Sequence, residues 1–278
     1  MQATVLSIAG SDPTGGAGIQ ADIKTMTTVG VYAASAISCI TVQNSYGVNR
    51  VEPLSLNLVA EQIHAVLEDH YVTHIKIGMV GTIAIAEEIG AILSDFHGEV
   101  IFDPILKSST GQDLFEPAAV KKLHTFLIDK TTVLIPNLPE LAVLADQKCN
   151  TTQDAVTAAK KLLMMHKNLR TILIKGGHAR TKGTITDTMV FKEDGRITET
   201  FVTHPKTVTK NTHGTGCTLA SAFTAYHCLT GDDTSSFYSA VKYVQNILSA
   251  SASAETIKNP DSQGVMLHYL AFRPDDRT

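Results

Sequence analysis

The hydrophobic residues of the chain follow two patterns that alternate along the sequence. Short apolar runs, rich in β-branched residues and bounded by Gly, Asp or Pro, predict strands, and stretches with apolar residues at helical spacing lie between them. The predicted strands are TVLSIAG, AISCITVQN, HIKIGMVG, EVIFDPIL, TTVLIPNLPE and RTILIKGGH, and the predicted helices between them are NLVAEQIHAVLED, AIAEEIGAILSDF, PAAVKKLHTFLID and TQDAVTAAKKLLMMH. Because the strand runs are nearly continuous, we expect an α/β fold whose mostly parallel sheet is covered by helices on both faces.

The segment TKGTITDTMVFKEDGRITETFV departs from this alternation. It places EDG between two β-rich runs, which is typical of a hairpin and predicts a small antiparallel edge of the sheet. Further helices are predicted for TLASAFTAYHCL and SSFYSAVKYVQNILSASASAETIK. No linker or repeat divides the chain, so we expect one domain over residues 1–270 and a flexible tail over residues 271–278.

Composition narrows the class of protein. The 278 residues carry 23 basic and 27 acidic side chains, a formal net charge of −4. Without a basic surplus, we expect binding neither to nucleic acid nor to an anionic membrane surface. The first ten residues have no basic region and only a strand-length apolar run, so neither a signal peptide nor a membrane span is expected. These features predict a cytoplasmic protein that acts on small molecules.

Polar and glycine-rich segments follow nearly every predicted strand. They are GSDPTGGAG, QN, GMVG, DP, PNLPE, KGGH and HGTGC. In open α/β sheets, ligands bind outside the carboxyl ends of the strands. The repetition therefore predicts a ligand site at that edge of the sheet.

Two of these segments are glycine-rich loops before a helix. GSDPTGGAG fits neither the Walker A pattern nor the dinucleotide-binding G-x-G-x-x-G, so it is either a turn or a loop that closes on a small ligand. NTHGTGC is either a tight turn or an anion hole, in which backbone N–H groups and the helix dipole bind a phosphate. At the helix start, Cys217 is either a thiol whose pKa the dipole lowers or a small buried filler.

Charged residues at other strand ends have two interpretations each. Asp103 and Glu140 are suited to hold Mg²⁺, yet Asp103 also fits a turn and Glu140 a helix cap. Lys175 is either a surface lysine without a role or a point charge placed to meet a phosphate. The amide of Gln43 both donates and accepts, as an aminopyrimidine edge requires.

Taken together and in order, these strings resemble the bacterial hydroxymethylpyrimidine/phosphomethylpyrimidine kinases of thiamin biosynthesis, within the ribokinase-like superfamily. The strings are IAGSDPTGGAGIQADIKT, VQNSYGV, KIGM, DP, PNLPE, KGGH and NTHGTGCTL. The resemblance implies that the chain folds as a ribokinase-like three-layer sandwich, forms a homodimer and uses ATP and Mg²⁺. It also implies phosphorylation of 4-amino-5-hydroxymethyl-2-methylpyrimidine and then of its monophosphate.

The resemblance also implies a role for individual residues. By motif position it places Ala17, Asp22, Gln43, Met79, Ile105 and Cys217 around the pyrimidine. It places Asn137, Lys175 and Thr212 at ATP, and Asp103, Asn137 and Glu140 around Mg²⁺. It places Gly214, Thr215, Gly216 and Cys217 at the transferred phosphoryl group. Many superfamily members have an aspartate base where this chain has Cys217. Either the thiolate assists the first step, or metal and anion hole suffice. If it assists, Cys217→Ser should slow the first step more than the second, whose acceptor is already a phosphate oxygen.

Two segments depart from the family pattern, DPILKSSTGQD after the fourth run and SQGVMLHY near the C-terminus. Two other functions remain open. A pyridoxal kinase shares the glycine loop and the cysteine, and retention of QN after the second strand favours the pyrimidine. A pyrimidine-binding regulatory protein on the same fold would have no need for Asp103, Glu140 and Lys175.

Overall fold

The computed structural model describes residues 3–107, 120–178, 183–258 and 262–272. Within these ranges the strands are β1 (Thr4–Ser11), β2 (Tyr32–Asn44), β3 (Gly47–Pro53), β4 (Val72–Ile77), β5 (Glu99–Phe102), β6 (Val133–Leu134), β7 (Thr171–Ile174), β8 (Thr184–Glu193) and β9 (Arg196–Pro205). The α-helices are α1 (Gly18–Val29), α2 (Leu56–Asp69), α3 (Ile83–Ile92), α4 (Val120–Phe126), α5 (Leu138–Ala145), α6 (Thr152–Met165), α7 (Thr215–Thr230) and α8 (Asp233–Ser251).

The described strands form one sheet in the order β3-β2-β1-β4-β5-β6-β7-β8-β9. The six strands from β2 to β7 in this order are parallel to one another. The predicted hairpin is confirmed, since β8 and β9 pair antiparallel at one edge, and Asp194 and Gly195 turn the chain with positive φ. Such a turn matches the twist of the two strands.

The other edge of the sheet holds a strand that the hydrophobic pattern did not predict. Strand β3 pairs antiparallel with β2 and contains no fully buried residue. An edge strand exposed in this way has no need of an apolar run, and its glycine and proline lower its strand propensity. The sheet therefore has antiparallel strands at both edges.

Helices cover both faces of the sheet, as predicted. Residues on α2 to α6 share one core cluster with Leu6 and Ile8 of β1. The side chain of Val5 points the opposite way and packs with residues of α1 and α7. Residues of α7 and α8 cover the same face over β5, β6, β7 and β8. This alternation along β1 is what a strand buried on both sides requires.

The C-terminal part of the described chain returns to the start of α7. The N–H of His213 donates to the carbonyl of Gly264 (3.0 Å), and His213 forms an isolated parallel bridge with Val265. A 3-10 turn spans His268–Phe272, so residues 271 and 272 of the predicted tail belong to that turn. Residues 273–278 lie outside the described residues, as do residues 108–113 of the divergent segment DPILKSSTGQD. No helix in the described ranges is long and apolar enough to cross a membrane.

Candidate active site

A cavity of about 540 Å³ lies outside the carboxyl ends of the parallel strands. Toward the β2 side of the sheet its walls include Ala17, Gln43, Met79 and Ile105. Toward the β8 side they include Val143, Ile185, Asp187, His204, Leu219 and Val244. Between these two ends the walls are formed by Asp103, Lys175 and Gly214 to Cys217. One cavity thus brings together most of the residues that the sequence predicted for a site. Its two ends are separated by a charged cluster.

Lys175, Asp103 and Glu140 form that cluster. The Lys175 ammonium lies 2.5 Å from Oδ1 of Asp103 and 3.4 Å from Oε2 of Glu140, and all three side chains are largely buried. Burial favours the neutral amine, but the two carboxylates outweigh it and raise the pKa of Lys175. Burial also raises the pKa of Glu140, against the pull of Lys175. Lysine is therefore a fixed cation in this cavity.

The same cluster fits a divalent cation. Among the described residues, Oδ2 of Asp103 is buried and has no hydrogen-bond partner. A buried carboxylate oxygen without a donor is costly, and carboxylate oxygens are the protein ligands that Mg²⁺ prefers. Asp103 and Glu140 are therefore suited to hold Mg²⁺ beside Lys175.

Glu140 also caps α5, the plainer of its two predicted roles. Oε2 of Glu140 accepts the N–H of Asn137 (2.7 Å), and Oδ1 of Asn137 accepts the N–H of Glu140 (2.8 Å). This capping box satisfies two backbone donors at the helix start. It also fixes both side chains against the cavity, which they line.

The start of α7 faces the lysine. The N-cap residue of α7 is Gly214, in the left-handed conformation (φ 84°), and it provides no side-chain cap, so no side chain of the loop occupies the first N–H groups of the helix. A Cβ atom on Gly216 would lie 3.7 Å from the Lys175 Nζ. Backbone amides, the positive end of the helix and a lysine thus converge on one place, as an anion site requires.

Two hydroxyl residues of this loop have local roles. The hydroxyl of Thr215 donates to the carbonyl of Thr212 (2.6 Å), and the hydroxyl of Thr212 accepts from Nε2 of Gln263 (2.7 Å). Thr215 lines the cavity and Thr212 does not. The structure thus places Thr212, which the resemblance assigned to ATP, outside the lining of the cavity.

Cys217 lies at the cavity wall, but its environment does not favour a thiolate. Burial raises the pKa of the thiol to about 12, and the negative charges of Asp103 and Asp22 add to the effect of burial. The cation of Lys76 and the N–H of Gly18 act in the opposite direction. The expected lowering by the helix dipole is therefore outweighed, and the thiol is neutral at neutral pH.

Asp22 lies behind the cavity wall. Its carboxylate is completely buried and accepts hydrogen bonds from the hydroxyls of Ser7 and Ser221, both at 2.6 Å, and from the Lys76 ammonium at 2.9 Å. Ser221 follows Cys217 by four residues, so both lie on the same face of α7. The Asp22–Lys76 pair is thus one helical turn below the thiol. Asp22 does not line the cavity, where the resemblance placed it near the substrate.

Sequence reasoning assigned no role to three residues that order this site, Asp12, Lys76 and His213. Lys76 is fully buried within the apolar run HIKIGMVG, where a charge without a partner would be costly. Asp12 and His213 lie in the two glycine-rich loops and contact each other at 2.8 Å. Burial pushes the pKa of Asp12 upward, but hydrogen bonds from His213 and Gln43 hold it well below its usual range. These three residues could have been found in the sequence as polar or charged residues inside an apolar run or a glycine-rich loop.

The sheet, the anion site and the charged cluster together define a class of protein, a ribokinase-like kinase of small molecules. The chain belongs to the phosphomethylpyrimidine kinase family, which it matches over residues 12–261. It is 34% identical over 269 residues to the hydroxymethylpyrimidine/phosphomethylpyrimidine kinase of Escherichia coli K12, a match that covers 96% of this chain and 97% of the relative. The family resemblance, the fold and the kinase class predicted from the sequence are confirmed.

Two solved structures are similar over most of the chain. A phosphomethylpyrimidine kinase from Clostridium difficile is 33% identical with a TM-score of 0.75, over 88% of this chain and 99% of that one. A pyridoxal kinase from Staphylococcus aureus in complex with AMP-PCP and pyridoxal is 28% identical with a TM-score of 0.84, over 98% of this chain and 96% of that one. Both kinds of kinase therefore share this fold.

Proposed function

We propose that the protein transfers the γ-phosphate of ATP to 4-amino-5-hydroxymethyl-2-methylpyrimidine and then phosphorylates the monophosphate to the diphosphate in thiamin biosynthesis. The observation that carries this proposal is the shared cavity, which joins Gln43, Met79 and Ile105 to the Lys175 cluster. Membership of the phosphomethylpyrimidine kinase family supports it. Retention of Asp103, Glu140 and Lys175 in one buried cluster argues against a regulatory protein without turnover.

The pyrimidine fits the β2 end of the cavity. The Gln43 amide donates to one ring nitrogen position and accepts from the neighbouring amino group, since it has both functions. Met79 and Ile105 pack on the two faces of the ring, and Ala17 closes the space beside it. The adenosine of ATP fits the opposite end, whose walls are mainly apolar.

The phosphates meet the charged middle of the cavity. Lys175 neutralises phosphate charge, and the N–H groups from Gly214 to Cys217 receive the transferred phosphoryl group. When bound, Mg²⁺ would be held by Asp103 and Glu140 and would screen the remaining phosphate charge. Phosphoryl transfer depends mostly on such positioning and charge neutralisation.

The two steps differ in their acceptor atom. In the first, the hydroxymethyl oxygen forms a bond to the γ-phosphorus, and the bond from that phosphorus to the β,γ-bridging oxygen breaks. ADP leaves with the electron pair of that bond, and the hydroxyl proton passes to solvent water. In the second, a phosphate oxygen attacks and carries no proton that must be removed. A neutral Cys217 is a wall of the acceptor end in both steps rather than a base in the first.

Pyridoxal is a second candidate substrate, because the Staphylococcus aureus pyridoxal kinase superposes with a TM-score of 0.84. Gln43 favours the aminopyrimidine, whose ring nitrogen and amino group lie side by side. A coupled ADP-release assay with each acceptor tests the choice. We expect the larger kcat/KM for hydroxymethylpyrimidine, and a larger value for pyridoxal would reverse the assignment.

The setting of the reaction follows from its cofactors. ATP and Mg²⁺ are available in the cytoplasm, where we propose that the protein acts. We propose a homodimer, supported by the family resemblance. Light scattering on the purified protein measures its mass against the 29.8 kDa of one chain.

A further inference from the structure

Asp12 shapes the first glycine-rich loop from within. It follows β1, is 2% exposed, and its carboxylate accepts the backbone N–H groups of Thr14 (2.8 Å), Gly16 (3.1 Å) and Ala17 (2.8 Å). Ala17 is the N-cap residue of α1 and is part of the cavity wall. One carboxylate thus holds together the turn that ends at the acceptor end of the cavity.

The same carboxylate reaches the second glycine-rich loop. Nε2 of His213 lies 2.8 Å from Oδ2 of Asp12, although 201 residues separate them. An ionised carboxylate only accepts hydrogen bonds, so Nε2 carries the proton and donates. His213 directly precedes Gly214, the N-cap residue of α7. The bond therefore ties the loop of Ala17 to the start of the anion site.

The two loops are also in direct contact. A Cβ atom on Gly16 would lie 2.4 Å from Cδ2 of His213, and one on Gly214 would lie 1.7 Å from the carbonyl oxygen of Gly16. No side chain fits at either place. Backbone packing thus brings the loops together, and the hydrogen bond from His213 selects their register.

A third part of the chain, the Gln43 side chain, also acts on the Asp12 carboxylate. A hydrogen bond from the Gln43 side chain is among the interactions that stabilise the carboxylate. By geometry, Asp12 joins the first glycine-rich loop, through the N–H groups of Gly16 and Ala17, to the loop proposed to receive the phosphoryl group, through His213. Neither loop could shift without moving a partner of this carboxylate.

We propose that Asp12 is a positioning residue that acts through His213 to hold the acceptor loop in register with the phosphate-binding start of α7. The proposal rests on the proposed kinase function for its kinetic consequence. A misplacement of reacting groups by about 1 Å is enough to lower a rate by about 100-fold. Lys175, Asp103 and Glu140 are not partners of Asp12, so ATP binding depends little on this contact.

Four variants test the contact. His213→Leu removes the donor at similar volume, His213→Gln keeps an N–H donor of similar reach, Asp12→Asn removes the charge, and the fourth combines Asp12→Asn with His213→Leu. We expect His213→Leu to lower kcat of both phosphorylation steps about 10- to 100-fold with little change in the KM for ATP. His213→Gln should recover most of the loss. The double variant should be little worse than the worse single one, because both break one contact.

A second histidine–aspartate pair supplies the matched control. Nδ1 of His166 lies 2.7 Å from Oδ1 of Asp129, and neither residue lines the cavity. His166→Leu removes an imidazole and its carboxylate contact, as His213→Leu does, and in addition the contact of its Nε2 with Nδ1 of His124. It should lower the melting temperature without changing kcat, which separates positioning from general destabilisation.

Hydrogen–deuterium exchange tests the contact without relying on turnover. We expect His213→Leu to increase amide exchange in residues 10–18 as well as in residues 211–217, with core strands unchanged. Unchanged kcat, strictly additive losses in the double variant, or faster exchange confined to residues 211–217 would each overturn the proposal. If the wild type turns over neither pyrimidine, the kinase function fails instead, and the exchange result still decides whether Asp12 links the loops.

Discussion

The ammonium of Lys175 lies 2.5 Å from Oδ1 of Asp103, although 72 residues separate them in the chain. Asp103 follows β5 and Lys175 follows β7, with β6 between them in the sheet. The Lys175 ammonium is shared by the carboxylates of Asp103 and Glu140. Under the proposed function, a nucleotide bound with Mg²⁺ would supply a phosphate for the lysine and a cation for the carboxylates. The cluster is therefore arranged to exchange one set of partners for another.

Replacing Lys175 with Met should lower kcat by about 100- to 1,000-fold, the usual cost of removing one preorganised donor from a developing negative charge. Steady-state kinetics at saturating Mg²⁺ measure the effect. Lys160 provides the control, because its pair with Glu199 is partly exposed at the surface. Lys160→Met should leave kcat unchanged. If Lys175→Met retains the wild-type kcat, Lys175 does not bind the phosphate.

Glu140→Gln should raise the Mg²⁺ concentration needed for half-maximal activity, because the amide is a weaker ligand than the carboxylate. It should also cost about 1 kcal/mol of stability by weakening the capping box. Asp154→Asn weakens a second capping box, formed with Thr151 at the start of α6. If both variants lose stability and neither changes the Mg²⁺ requirement, Glu140 is a cap and not a metal ligand.

Burial of Cys217 revises the expectation that a thiolate assists only the first step. With the pKa raised to about 12, Cys217→Ser should slow both steps by a similar factor. Alkylation of Cys217 by iodoacetamide should stay slow up to about pH 9, whereas the denatured chain should react near the reference pKa of about 8.5. Mass spectrometry of the peptide containing Cys217 separates it from the other cysteines. A loss of rate confined to the first step, or fast alkylation at neutral pH, would show instead that Cys217 acts as a base in the first step.

The free energy of unfolding should depend on whether the buried charges of Asp22 and Lys76 are present together, because either charge alone would be buried without its partner. Burial alone favours the neutral amine, and Asp22 outweighs it and raises the pKa of Lys76. Lys76→Met leaves the carboxylate buried and unpaired, and should lower the free energy of unfolding by about 3–5 kcal/mol.

Chemical denaturation measures this effect. Combining Asp22→Asn with Lys76→Met should recover much of the loss. Glu52→Gln, at the exposed pair with Arg50, should change stability by less than about 1 kcal/mol. A double variant as unstable as the sum of the singles would show that the two charges do not compensate each other.

The sequence could predict the parts of this protein that follow from period and position. Continuous apolar runs indicated the parallel strands, and EDG indicated the hairpin of β8 and β9. Asp103 and Lys175 were predicted to share a site because the carboxyl ends of parallel strands meet at one edge. These predictions depend on local pattern and on sheet topology alone.

Other features depend on contacts between distant segments. Strand β3 has no buried stripe, so only its pairing with β2 reveals it. The position of Asp22 behind the cavity depends on Lys76, and the pKa of Cys217 depends on burial that a helix start does not specify. The bond between Asp12 and His213 joins loops from opposite ends of the chain. No periodicity carries such information.

Under the proposed function, one active site phosphorylates hydroxymethylpyrimidine to the monophosphate and then phosphorylates the monophosphate to the diphosphate. The direct measurement is a product-resolved assay with ATP and Mg²⁺, in which hydroxymethylpyrimidine, its monophosphate and pyridoxal are supplied separately and products are separated by chromatography. We predict the monophosphate and then the diphosphate from the alcohol, the diphosphate from the monophosphate, and slower turnover of pyridoxal. Turnover of pyridoxal alone, or of no acceptor, would contradict the claim.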